Sequence, residues 1–266
     1  MKRSAYPGTQ AVLRAVRLLK AFTAERPERG LLELSRHAAL NKTTPYRLLT
    51  ALESEGLIER LPDREGFRLG AEVLALGSRA LGADRLRAAA RAELLALAQT
   101  TRETATLEVL AGRDVLILDE VMGGHMVGST PSVGTRWPAH TTSTGKAILA
   151  HLPAQAVEAF LAEPLPGLTA RTIRTALAFR RELERVRLQG YSMSLEELEP
   201  QFVAVGAPVW GGTAVVAALS VGGPRPRFSP TRVDAIARQV VAAAGRVSQQ
   251  LGHAQPGAAA SRRVKR

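Results

Sequence analysis

The sequence predicts an α+β protein in two parts, a small N-terminal head that begins with helices and a larger body built on an antiparallel sheet. Three observations predict it. Apolar side chains recur at helical spacing up to Gly56, and beyond it the period falls to two. From Thr104 onward, alternating strand-like runs are mixed with segregated helical segments. The charge is also uneven: residues 1–70 hold 13 Lys/Arg against 8 Asp/Glu, whereas residues 91–252 hold 16 against 14. A basic head on a nearly neutral body is the electrostatic footprint of a polyanion-binding module joined to something else.

In the head, Val12, Ala15, Val16, Leu19 and Phe22 mark one face of a helix from about Gln10 to Ala24, with Arg14, Arg17 and Lys20 opposite. Thr9 stands where an N-cap is needed. Residues Glu25–Gly30 read as a loop, followed by a short helix over Leu32–Ala38 and a tight turn at Ala39–Asn41. A third helix spans Lys42–Glu55. Pro45 has no N–H and must lie in its first turn, so the cap is Asn41, Thr43 or Thr44, and Gly56 ends it. Tyr46, Leu49, Leu52 and Leu57 form its inward stripe. Leu57–Leu61 and Phe67–Leu69 then read as strands around Pro62–Gly66. Helices followed by a hairpin in this order make a winged helix-turn-helix. Leu34, Leu40 and Leu48 would pack the second helix on the third, leaving one face of the third free for a DNA major groove.

That geometry names the candidate DNA contacts. Lys42, Thr43, Thr44 and Arg47 lie near the start of the third helix, where this motif places side chains that read bases. A threonine methyl can touch thymine and an arginine can fork onto guanine. Arg64, at the wing tip, would meet phosphate or the minor groove. Tyr46 serves either the inward stripe or the DNA.

Beyond the head, Ala71–Thr101 is helical with a break near Gly82–Asp84. Thr104–Leu110 and Val115–Val121 alternate as strands around a Gly112 turn, followed by a glycine-rich loop. Helices are expected at Gly145–His151, Ala154–Leu161, Thr175–Gln189 and Ser229–Leu251. Strands are expected at Gly190–Ser194, Phe202–Trp210 and Ala214–Val221. We divide the chain into a winged helix-turn-helix DNA-binding domain (1–70), a linker helix (71–83), an α+β domain (84–252) and a basic, disordered tail (253–266).

Composition excludes several function classes. With 45% hydrophobic residues the chain can bury a core, and with no cysteine it can hold no disulfide, thiolate-bound zinc or thiol nucleophile. No apolar segment follows the basic residues of Met1–Pro7, and no run is long enough to span a bilayer, so a soluble cytoplasmic protein is expected.

Three ordered blocks carry a resemblance. The first is Leu40-Asn41-Lys42-Thr43-Thr44-Pro45-Tyr46-Arg47-Leu48-Leu49 with Glu55-Gly56-Leu57. The second is Pro138-Ala139-His140-Thr141-Thr142-Ser143-Thr144-Gly145-Lys146-Ala147. The third runs from Gly190-Tyr191-Ser192 through Glu196-Glu197 to Ala207-Pro208-Val209 and Ala218–Val221. In this order they resemble the IclR family of bacterial transcription regulators over nearly the whole chain. The resemblance implies a GAF-like effector domain, assembly as a homodimer or a dimer of dimers, and binding to a double-stranded DNA operator. Three positions depart from the family's pattern: Gln201 stands at a usual glycine, Ser194 at a frequent acid and Ala204 at a frequent cysteine.

For the effector, Thr142, Ser143, Thr144 and Gly145 form a hydroxyl-rich entry to a helix, whose free N–H groups suit a carboxylate. By analogy with the family, Ser194, Phe202, Ala204 and Ser220 would line the same pocket, for a small organic acid or aromatic compound. Gly145-Lys146 is not a nucleotide loop, because His140 and Ala147 stand where that motif needs Gly and Ser/Thr. Lys146 is therefore expected to be structural or on the helix surface. Glu196, Glu197 and Glu199 cluster without a nucleophile and base beside them, and His37, His125, His140, His151 and His253 lack metal-ligand spacing. No enzyme, metal or cofactor is expected. The other reading is a GAF-type sensor whose basic head binds a protein.

Overall fold

The computed structural model describes residues 9–23, 26–37, 43–62, 65–82, 85–124 and 132–253, with the backbone only for 43–45, 78 and 80–82. The chain folds as two compact units, residues 1–84 and 85–266.

The first unit contains α1 (Gln10–Leu19), β1 (Glu28–Arg29), α2 (Leu31–His37), α3 (Thr43–Ser54), β2 (Ile58–Arg60), β3 (Phe67–Leu69) and α4 (Ala71–Gly82). Its core joins Leu18, Ala21, Phe22, Leu34, Leu49, Leu52, Ile58 and Phe67. Burying each large side chain contributes about 1.5–3 kcal/mol. Leu34 is fully enclosed, with Leu48 half-buried against the same cluster, while Leu40 lies outside the described residues. Gly56, in the left-handed region at φ 68°, closes α3, and Leu57 N donates back to Leu52 O at 2.9 Å.

Three expectations for this unit need correction. The face of α1 turned to the core carries Leu18, while Val12 and Val16 are 63% and 40% exposed. The helix stops at Leu19, so Ala21 and Phe22 reach the core from the following turn and not from the helical stripe. Residues 28–29, read as loop, form a strand that adds to β3 and gives a sheet of order β1-β3-β2; two residues are too short to show alternation. Tyr46 is 51% exposed and lies outside the apolar core.

The second unit contains α5 (Arg85–Thr101), β4 (Thr104–Ala111), β5 (Asp114–Val121), β6 (Arg136–Pro138), a 3-10 turn (Ala139–Thr141), α6 (Ser143–Leu149), α7 (Ala154–Leu161) and α8 (Ala176–Gln189). It continues through β7 (Ser192–Leu195), β8 (Phe202–Gly211), β9 (Ala214–Pro224) and α9 (Pro230–Gln250). The antiparallel sheet has the order β6-β5-β4-β9-β8-β7. Alternation gives it two faces. Leu107, Val205, Leu219 and Val221 meet Leu94 and Leu97 of α5 and Val240 and Val247 of α9. The opposite face is covered by α6. Behind it, α7 and α8 enclose Leu149, Val157, Phe160, Phe179 and Leu183.

Side-chain caps fix the helix starts. Thr142 accepts from Gly145 N, Thr175 from Ala178 N and Ser229 from Arg232 N. The cap at Thr142 starts α6 two residues earlier than the apolar pattern suggests. The short edge strand β6 was not anticipated. No helix among the described residues is long and apolar enough to cross a membrane.

Candidate DNA-recognition helix and effector face

In the first unit, α3 opens at Thr43 and Thr44, whose backbone lies in its first turn; Lys42 and Arg64 fall outside the described residues. Tyr46 and Arg47 follow, both exposed. The Arg60 guanidinium on β2 lies 5.5 Å from the Tyr46 ring centroid and 5.1 Å from that of Phe67. Its Nε donates to Glu53 Oε2 at 3.2 Å. Arg60 therefore ties the hairpin to both ends of α3, and Tyr46 is a brace with one ring face engaged. Arg60 could have been found from its register, since it pairs with Phe67 across the hairpin.

In the second unit, the strand register assembles a cross-strand row of Glu120, Thr106, Ser220, Gly206 and Ser192 from five strands. A second row, two residues along, holds Thr104, Gly222, Ala204 and Ser194. These rows share the face beneath α6. A Cβ at Gly206 would stand 3.0 Å from Ser143 C and 3.1 Å from Thr144 N, so glycine lets the start of α6 approach the strand backbone. Ser192 Oγ donates to Ser143 O at 2.5 Å, and Ser194 Oγ to Thr141 O at 2.7 Å. The Phe202 ring lies over Gly222, with its Cζ 2.8 Å from where a Cβ would stand.

The eight effector candidates are thus brought together. Thr142, Ser143, Thr144 and Gly145 form the start of α6, and Ser194, Phe202, Ala204 and Ser220 lie on the sheet facing it. Two residues missed from the sequence join them. Glu108 Oε2 lies 2.5 Å from Thr144 Oγ1, its Oε1 lies 2.7 Å from Thr106 Oγ1, and Thr106 Oγ1 is 2.8 Å from Ser220 Oγ. Burial pushes the Glu108 carboxyl above the usual carboxylate range, the two threonine hydroxyls offset this in part, and Glu120 adds to the rise. The signal was the alternation Thr104, Thr106, Glu108. A polar strand face ordinarily means solvent, but here α6 covers it.

The residues flanking this face are structural. Lys146 has no exposed surface, so of the two expected places, structural or on the helix surface, it takes the structural one. Its Nζ reaches Glu197 Oε1 at 2.6 Å, Met193 O at 2.6 Å and Glu182 Oε1 at 3.0 Å. Glu196 accepts from Gln201 N at 3.0 Å and pairs with Arg225 at 2.5 Å and Arg171 at 3.0 Å. The acidic loop is therefore an ion-pair clasp. His140 is buried with Nε2 2.9 Å from Pro166 O, and burial lowers its pKa.

Comparison with known proteins agrees with this architecture. The family model for the bacterial transcriptional regulator IclR C-terminal domain matches residues 78–249, and that for the IclR helix-turn-helix domain matches residues 11–62. The glycerol operon regulatory protein of Streptomyces griseus is 33% identical over 246 residues, covering 91% of this chain and 96% of that protein. The crystal structure of an IclR-type transcriptional regulator from Alicyclobacillus acidocaldarius is 29% identical, with a TM-score of 0.83 over 91% of this chain and 98% of its own. An IclR homologue from Microbacterium hydrocarbonoxydans, crystallised with 4-hydroxybenzoate, is 28% identical, with a TM-score of 0.80 over 91% and 99%. The relatives are named as transcriptional regulators and repressors, not enzymes. Matched along both units, this chain belongs to the IclR family of bacterial transcriptional regulators.

Proposed function

We propose that this regulator is a ligand-responsive, cytoplasmic protein that binds a palindromic operator as a homodimer or a dimer of dimers. Residues 1–70 bind DNA, with Lys42, Thr43, Thr44, Tyr46, Arg47 and Arg64 toward the duplex. Residues 71–83 connect this head to the effector domain, residues 84–252. Two copies of α3 related by a two-fold axis would meet half-sites about one helical turn apart.

The effector we propose is a small organic acid, aromatic or aliphatic, held between the start of α6 and the sheet. It acts only through different affinities for two arrangements of the DNA heads. The observation that carries this reading is the exposure of Tyr46 and Arg47 on α3, with Arg47 free of any ion pair among the described residues, on a head with an apolar core of its own. The resemblance to a homologue crystallised with 4-hydroxybenzoate supports the choice of effector class.

The test pairs two variants. Arg47→Ala should weaken binding to a palindromic promoter fragment and leave the thermal shift with small acids unchanged. Ser220→Glu should remove that thermal shift and leave DNA affinity nearly intact. Loss of DNA binding by Ser220→Glu with its ligand response retained would contradict this division of roles.

A further inference from the structure

An acid in the middle of a site for acids requires an explanation. Glu108 is buried, and among the described residues no cation pairs with it. From β5 the group that faces it is another carboxyl, Glu120, whose Oε2 accepts from Ser132 N at 2.8 Å and Ser132 Oγ at 2.5 Å. From β9 it meets the row of Ala218 and Ser220, and from α6 it meets Thr144. Lys146 of α6 is turned away onto Glu182 and Glu197. Asp119 projects to the opposite face, where Arg91 Nη1 holds it at 2.9 Å. The surroundings of Glu108 are thus hydroxyls and one further acid, and an isolated charge there would be costly.

The direction of the hydrogen bonds depends on one proton. If Glu108 is ionised, both Thr144 and Thr106 must donate to it, and the chain of hydroxyls points inward. If it carries a proton, one carboxyl oxygen accepts from one threonine and the other donates to the second threonine. That second hydroxyl is then released to donate onward. Through Thr106 the release reaches Ser220, 2.8 Å away; through Thr144 it reaches the start of α6 directly.

We propose that Glu108 is the specificity-determining residue of the effector face: as an un-ionised acid it turns one of its two hydroxyl partners, Thr144 or the Thr106–Ser220 pair, into an outward donor, and so selects a ligand that presents an acceptor oxygen, such as a carboxylate. This deepens the effector reading above and rests on it for the ligand class alone. The upward shift that burial imposes on Glu108 agrees with it. Ionisation would turn that hydroxyl back inward and set a negative charge against an acidic ligand. Effector affinity should therefore fall as Glu108 titrates.

The test has two arms on the full chain. In the first, glutamate side chains are labelled with 13C at the carboxyl, and the Glu108 signal is identified by its loss in Glu108→Gln. Thr144→Val, which removes one contact and shifts the same signal, is the second assignment should the first variant not fold. The signal is expected to keep its protonated position through the range in which exposed glutamates titrate, near the ordinary value of about 4.3, and to change only at higher pH. Titration together with the exposed groups overturns the proposal.

The second arm measures 4-hydroxybenzoate and its neutral analogue 4-hydroxybenzamide by calorimetry across pH. Glutamine reproduces the one-donor, one-acceptor pattern and cannot ionise. The wild type should prefer the acid and lose affinity for it in alkali, whereas Glu108→Gln keeps that affinity. Identical pH profiles in the two proteins overturn the proposal. Binding of neither compound by either protein overturns the effector class proposed above, and the carboxyl signal then decides the role of Glu108 by itself.

Discussion

The Lys146 ammonium, wholly enclosed, lies 2.6 Å from the Glu197 carboxylate. Glu182 and the Met193 carbonyl complete its shell, so one cation joins α6, α8 and the end of β7. Lys146→Met would strand the buried Glu197 carboxylate, while Glu182 keeps Arg185, and breaking such a buried pair from one side costs about 3–5 kcal/mol. Thermal unfolding should show a large drop for the single variant and partial recovery when Glu197→Gln is added. Equal melting of Lys146→Met and wild type would refute this.

Gln201 holds a backbone φ of 62°, in the left-handed region, with its side chain exposed. An L-residue loses about 1–2 kcal/mol there, and glycine gives back about 0.5–1 kcal/mol through its freer unfolded chain. Gln201→Gly should therefore stabilise the second unit by up to about 1 kcal/mol, a rise in melting temperature of roughly 2–4 °C. A lower melting temperature would show that the Gln201 side chain contributes something its exposure conceals.

In the head, Arg60 meets the Tyr46 ring and also interacts with its hydroxyl. Tyr46→Phe should lose only the hydroxyl's share of this contact, and Tyr46→Ala should lose in addition about 0.5–1 kcal/mol, the worth of an exposed cation–π contact. Chemical denaturation followed by a probe in the head distinguishes them. Equal losses from both variants would assign the contribution to the hydroxyl.

Glu108 gives stability a pH dependence of known sign. Its folded pKa is raised above 4.5, so beyond the ordinary carboxylate range the unfolded chain has released a proton that the native protein still holds. Stability from this group is complete in acid and is lost progressively as pH rises toward the folded value. Glu108→Gln cannot ionise in either state. The melting temperature of the variant relative to wild type should therefore increase from acid to alkali. A constant difference would mean that Glu108 has an ordinary pKa.

The order of helices and strands was legible because each strong signal was local: the period change after Gly56, the helical runs from Thr175 and Ser229, and the alternation along Thr104–Leu110. The stripe on α1 was misread because the helix ends before Phe22, and ends are set by tertiary packing that periodicity does not report. At the effector face, a hydroxyl run before a helix exposed Thr142–Gly145 to inspection. Glu108 and Thr106 were hidden because their chemistry comes from what covers them. A polar strand face looks the same in sequence whether water or α6 lies over it. For Lys146 the choice between a structural and a surface position stayed open for the same reason, since its two carboxylates come from residues 36 and 51 positions away.

The central claim is that the start of α3 reads DNA. Fluorescence anisotropy of a palindromic fragment from upstream of its own gene, against a scrambled duplex over a range of salt, tests it most directly. The wild type should bind the palindrome more tightly, with affinity falling steeply as salt rises. Arg47→Ala should lose that preference if it contacts a base, or shed about one unit of salt slope if it contacts phosphate. Equal affinity for the two duplexes, unchanged by Arg47→Ala, would contradict the claim.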